Sequence, residues 1–236
     1  MQAFLIVTSL DETEWQGCRQ RMDYNLHRAR VCGRKIYSHV AILFSNLHKS
    51  SACASRHIIF ESLQEPRPSG KLGFSPPLDD PSGWYAQWRN PVVYFYPINP
   101  TKIDPMELFR VCEFLANSDR TYDWGWAVQA VCCPFLPCAA CKCNCNSRSQ
   151  STTNCVGAVA ICLAAAIDRD ALRDRSRVRD ILKLKRFHPE LFLPSEMLSQ
   201  LHEAELILAT PLKELKLSWD KNARENRPLP VLTMIR

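Results

Sequence analysis

An α+β fold is predicted by three features of the chain. Short apolar runs with strand periodicity occur at 4–10, 37–44, 57–61 and 91–96; one long apolar run at 155–166 has the character of a buried helix; and there is neither an internal repeat nor a second clear hydrophobic core. The expectation is a single domain over 1–236, a small antiparallel sheet packed against that helix. A Cys-rich insertion at 132–145 and a helical C-terminal extension from about 168 complete it.

The elements follow in order. Phe4-Leu5-Ile6-Val7 forms a buried strand, and with no basic segment before it and Asp11-Glu12 after it this is read as a strand rather than a signal peptide. Residues 12–30 carry Trp15, Cys18, Met22 and Leu26 three to four apart, the spacing of an amphipathic helix that Cys32-Gly33 ends. In the next strand, alternation puts His39, Ala41 and Leu43 on one face and Val40, Ile42 and Phe44 on the other. In the strand after it, His57, Ile59 and Glu61 share a face opposite Ile58 and Phe60. Residues 65–83, rich in Pro, Gly and Ser, read as a loop, and 91–96 as a strand closed by Pro97. Asp104-Pro105 opens a helix running to about Ala116 as N-cap and first helical residue. Thr153-Asn154 caps the apolar helix. The alternating charges of 168–185 suit a solvated helical face, Pro194-Ser195-Glu196 opens a short helix to Ala204, and the tail after Lys221 has no strong pattern.

Composition narrows the function. Of 236 residues 46% are hydrophobic, which excludes a disordered chain, and no run approaches the roughly 18 apolar residues of a spanning helix. The net charge of +6 comes from scattered basic residues, so no nucleic-acid partner is expected. Six of the twelve cysteines crowd into 132–145, too close together to staple distant parts, and reduced thiols in a cytoplasmic setting are the expectation.

The chemistry-bearing candidates are Cys155, His39 and Glu61. Cys155 starts a capped helix, where free amide N–H groups and the positive end of the helix dipole favour a thiolate. A thiolate nucleophile needs an imidazole to shuttle the proton, and the imidazole needs a third group to hold its tautomer. His39 and Glu61, on consecutive strands, can supply both. Alone, each has a plainer reading: Cys155 as a small buried hydrophobe, His39 as a core histidine, Glu61 as a polar residue where a strand leaves the sheet.

These residues sit in segments that together resemble the circularly permuted papain-like (NlpC-type) hydrolases, a superfamily with YiiX-like, poxviral and lecithin:retinol acyltransferase branches. The segments are Ser38-His39-Val40-Ala41-Ile42, Ile58-Ile59-Phe60-Glu61-Ser62, Tyr122-Asp123-Trp124, Asn154-Cys155-Val156 and Leu193-Pro194-Ser195-Glu196. Val156-Gly157 stands where the family usually carries Ser-Glu, and Leu5-Ile6-Val7 lacks the Gly-Asp that often introduces the opening strand. The resemblance implies a permuted papain-like fold and a thiol hydrolase or acyltransferase with Cys155 as nucleophile, His39 as base and then acid, and Glu61 as orienting carboxylate. His57 is the fallback third residue, since the acyltransferase branch uses a histidine there, and the Tyr122 hydroxyl is a candidate second oxyanion donor beside the Cys155 amide. The implied substrate is a peptide, isopeptide or lipid-acyl group, with no cofactor and no metal.

For the Cys-rich segment three readings compete: S-acylation at Cys132, Cys133 and Cys138 beside Phe135 and Leu136, a multinuclear thiolate metal site, and a plain loop of small residues. S-acylation is preferred, which would add peripheral membrane contact to a cytoplasmic location. The competing functions for the whole chain are an idle papain-like scaffold or membrane-associated binding protein, and a Cys-cluster metal-binding module.

Overall fold

The computed structural model describes residues 1–9, 37, 39–45, 57–62, 72–75, 92–118, 121–122, 152–185, 193–208 and 213–216. The predicted helix over 12–30, the Cys-rich segment 132–145 and the tail after Lys221 lie outside these residues.

The fold is α+β. In chain order its elements are β1 (Gln2–Ser9), β2 (His39–Ser45), β3 (His57–Ser62), β4 (Leu72–Ser75), β5 (Val92–Pro97), α1 (Pro105–Ala116), β6 (Thr121–Tyr122), β7 (Thr152–Thr153) and α2 (Cys155–Ile167). A 3-10 turn (Arg169–Leu172), α3 (Arg177–Ile181), α4 (Pro194–Glu203) and β8 (Lys213–Lys216) follow. Six strands form one sheet in the order β4-β3-β2-β1-β5-β8, every neighbouring pair antiparallel. The predicted strands and the two principal helices are present within one or two residues of their expected ends.

Strands β1 and β2 read as nearly unbroken apolar runs because both faces of the sheet are covered. Leu5, Val7, Val40, Ile42, Phe44 and Phe60 join a large cluster with α1 and α2, while Phe4, Ile6, Ala41, Leu43, Ile59, Val93 and Phe95 form a second cluster on the other face. Helix α1 begins as its sequence predicts, with the Asp104 carboxylate accepting from the Met106 amide at 3.0 Å and Pro105 at the first helical position. It lies over β2, β3 and β4 through a row of aromatic contacts: Phe109 meets Phe44 edge-on at 5.2 Å and Phe74 at 5.6 Å, and Phe74 meets Phe60 at 5.7 Å. Helix α2 is buried from Cys155 to Ala165, and four of its five alanines, at 158, 160, 164 and 165, lie in that buried stretch. A Leu163→Ala substitution in this packed helix would cost about 2–5 kcal/mol.

Three expectations need correction. The Pro-, Gly- and Ser-rich stretch 65–83 is not wholly loop: Leu72–Ser75 is the edge strand β4, pairing Phe74 with Phe60 and Gly73 with Glu61. Four residues are too few to show a period, and the pairing with β3 supplies what the local pattern lacks. Likewise β8 adds an edge beside β5, with charged Lys213, Glu214 and Lys216 on it, a composition that discourages further pairing. Finally, the charged run 168–185 is not one helix. Asp168 accepts from the Asp170 amide at 3.0 Å, and Asp174 from the amide and hydroxyl of Ser176 at 3.0 and 2.6 Å. These local bonds compete with the helical ladder and leave a 3-10 turn and the five-residue α3.

Candidate active site

Two short elements lead into the site. Residues Thr121–Tyr122 pair in parallel with Thr152–Thr153, and Asn154 then turns the chain into α2. Its side-chain oxygen accepts from the Gly157 amide at 2.7 Å, the N-cap bond that the sequence led one to expect. Cys155 is therefore the first residue of a capped helix of thirteen residues, with the positive end of the helix dipole at its backbone.

His39 is the first residue of β2, and Glu61 the penultimate residue of β3. Antiparallel pairing sets Ile42 against Phe60, which brings the carboxylate of Glu61 diagonally to the imidazole. The contact is direct: His39 Nε2 lies 3.0 Å from Glu61 Oε2. The imidazole also shares a hydrogen bond with the side chain of Cys155. The structure thus gathers three residues 22 and 94 positions apart into one chain of contacts: thiol, imidazole, carboxylate.

Tyr37 and Ala41 have the same parity, yet Tyr37 packs in the large cluster with α2 while Ala41 belongs to the cluster on the opposite face. Tyr37 lies ahead of β2, and His39 opens the regular β1–β2 ladder opposite Thr8.

All three groups are buried: Cys155 is 4% exposed, His39 5% and Glu61 1%. Burial is the largest single influence on the His39 ring and opposes its protonation. The hydrogen bonds to Cys155 and Glu61 and the negative charge available on both outweigh burial and raise the ring from 6.5 to about 9. At neutral pH the imidazole is accordingly held as the cation between two potential anions. The second carboxylate oxygen, Oε1 of Glu61, is buried with no hydrogen-bond partner among the described residues.

The remaining candidates are placed as follows. Tyr122 stands opposite Thr153 in the β6–β7 pair, two residues ahead of Cys155, so its backbone is beside the entrance to α2. His57 pairs with Ser45 at the far end of the β2–β3 ladder. Six residues along β2 separate that position from His39, roughly 20 Å of extended strand. The fallback role for His57 is therefore corrected: it shares a face with Glu61 in the pattern, but the register puts it out of reach of the ring. Cys132, Cys133 and Cys138 lie outside the described residues. Sequence reasoning missed Tyr37, whose amide donates to Ser195 Oγ at 3.4 Å and whose hydroxyl lies 3.4 Å from that of Tyr96. Ser195 stood in the Leu193-Pro194-Ser195-Glu196 segment, but no local signal pairs residues 158 positions apart.

No family model matches the chain, and no curated protein and no solved structure matches it.

Proposed function

We propose that the protein is a thiol hydrolase or acyltransferase of the permuted papain-like kind, working through Cys155, His39 and Glu61. The observation that carries this reading is the imidazole of His39 held between the side chains of Cys155 and Glu61 in a buried setting. The chain order His, Glu, Cys and the position of the cysteine at the start of a buried helix support the permuted arrangement.

In this reading the thiolate of Cys155 attacks the carbonyl carbon of an amide, ester or thioester. The carbonyl π pair moves onto oxygen, where the Cys155 amide at the helix start is one donor to the developing charge. As the tetrahedral species collapses, His39 gives its proton to the departing amine, alcohol or thiol, and a thioester to Cys155 remains. His39, now neutral, takes a proton from water or another acceptor as that oxygen or nitrogen attacks the thioester, and the thiolate leaves with its electron pair. Glu61 holds the ring in orientation and stabilises its cationic form. Tyr122 is the second oxyanion donor in this scheme. The Cys-rich segment, with Cys132, Cys133 and Cys138 beside apolar residues, supports a lipid-linked substrate and peripheral membrane contact through S-acylation.

The test is alkylation by iodoacetamide at neutral pH, read residue by residue by mass spectrometry. Cys155 should react faster than Cys18 and Cys53, and the advantage should disappear in His39→Gln, with circular dichroism confirming the fold. Equal rates at the three cysteines in the wild type would overturn the proposal. The idle scaffold remains a second reading on one observation, the 4% exposure of Cys155, and it predicts that equality.

A further inference from the structure

Tyr37 is held in three independent ways, two residues ahead of the imidazole. Its amide lies outside the strand ladder of β2 and donates to the hydroxyl of Ser195 at 3.4 Å. Its ring meets that of Tyr94 edge-on at 5.6 Å, and its hydroxyl is 3.4 Å from that of Tyr96. Tyr94 and Tyr96 belong to β5, whereas Ser195 belongs to the first turn of α4, so the anchors come from two separate parts of the fold.

The α4 end of this arrangement is itself fixed. Leu193, Met197 and Leu201 are buried, and the Glu196 carboxylate accepts from the Leu193 amide at 2.9 Å. Ser195 therefore offers a stationary acceptor. What it holds is the backbone of Tyr37, two residues ahead of His39 at the start of β2. Two residues span at most about 7 Å, so a displacement of the Tyr37 amide is passed to His39 with little slack. Glu61 from β3 holds one side of the ring, and Cys155 of α2 acts on it as well.

We propose that Ser195 is a positioning residue for His39, acting through the backbone of Tyr37, with Tyr96 fixing the same tyrosine through its hydroxyl. The role rests on the reading of His39 as the catalytic base. Glu61 and Cys155 are the titratable groups that face the ring, and neither is touched by the variants that test it.

The experiment follows the His39 imidazole by NMR, assigned by the signal missing in His39→Gln, together with alkylation of Cys155 by iodoacetamide at neutral pH. Wild-type His39 should titrate near 9. In Ser195→Ala the titration should fall toward 6.5 and Cys155 should react about tenfold more slowly, with Ser195→Thr restoring both. A Ser195→Ala protein that melts earlier yet keeps the wild-type titration and alkylation rate would show a merely structural hydroxyl and overturn the inference. Should Ser195→Ala not fold, Tyr96→Phe decides, since a lowered His39 titration supports the anchoring of Tyr37 and an unchanged one overturns it. If wild-type His39 itself titrates near 6.5 and Cys155 reacts no faster than Cys18, the hydrolase reading fails first. A raised wild-type titration with an indifferent Ser195→Ala removes only the positioning role.

Discussion

Helix α2 carries two cysteines seven residues apart, and both are buried, yet they have opposite company. Cys155, at the helix start, shares a hydrogen bond with an imidazole backed by a carboxylate. Cys162, inside the helix, faces Cys112 of α1. Burial, the neighbouring thiol and nearby negative charge all push Cys112 well above the ordinary thiol range, which keeps the Cys112 thiol protonated. Burial is common to both cysteines of α2 and does not distinguish them. The decisive difference is whether a proton acceptor that becomes a cation stands within hydrogen-bond reach.

The contrast is broken most directly by exchanging the two sites. Cys155→Ala should abolish turnover of any acyl substrate, a loss of about 10⁴-fold or more, and leave the fold intact. Cys162→Ala should leave kcat/KM within about twofold while lowering stability by about 1–2 kcal/mol through the small cavity it opens against Cys112. Steady-state rates and urea midpoints on the same preparations separate the two. If both variants retain activity, the chemistry assigned to the helix start is wrong.

Glu61→Gln comes next. The amide keeps the shape and one acceptor but removes the charge that favours the imidazolium, so kcat/KM should fall by about 10²- to 10⁴-fold with a far smaller change in melting temperature. Glu61→Ala is a poorer probe, because it leaves the buried His39 cation without its partner at a cost of about 3–5 kcal/mol. Unchanged turnover in Glu61→Gln would leave the carboxylate with no part in the reaction.

The pH dependence of stability sharpens the same comparison. The folded His39 ring titrates near 9, against 6.5 in the unfolded chain. Its stabilising effect is then complete below about 6.5 and is lost as the pH rises through about 9. The loss is on the order of 3 kcal/mol, measurable as a drop in the urea midpoint between pH 6 and pH 10. His39→Gln should flatten that drop, whereas Cys162→Ala should not.

How much of this was legible in the chain differs between elements and contacts. Strands β1, β2, β3 and β5 and helices α1 and α2 declare themselves through period, capping residues and unbroken apolar runs. The four-residue edges β4 and β8 do not, since a strand that short is specified by the neighbour it pairs with. At the site, Cys155 was marked by its cap and His39 by its strand, but the choice between Glu61 and His57 was not decidable from alternation. Both occupy the same face of β3, and only the register of β3 against β2 puts one beside the ring and the other at the far end. The contact between Tyr37 and Ser195 is beyond local reading altogether, because it depends on where α4 docks.

The smallest expected effect concerns the cap that separates the two cysteine environments. Asn154 closes the first turn of α2 through its bond to the Gly157 amide, and Asn154→Ala should cost about 1 kcal/mol of stability for the amide left unpaired. Asn154→Asp is the more telling change. A carboxylate caps as well as a carboxamide and suits the positive end of the helix, so the urea midpoint should stay within about 0.5 kcal/mol of wild type. That same charge, one residue before Cys155, also competes with a thiolate for the helix end and for the His39 cation. Alkylation of Cys155 should therefore slow severalfold at unchanged stability, while the rate at Cys162, two turns along the helix, should not change. A rate at Cys155 indifferent to this added charge would mean that the helix end and the imidazole do not act on the sulfur, and that Cys155 and Cys162 differ in position alone.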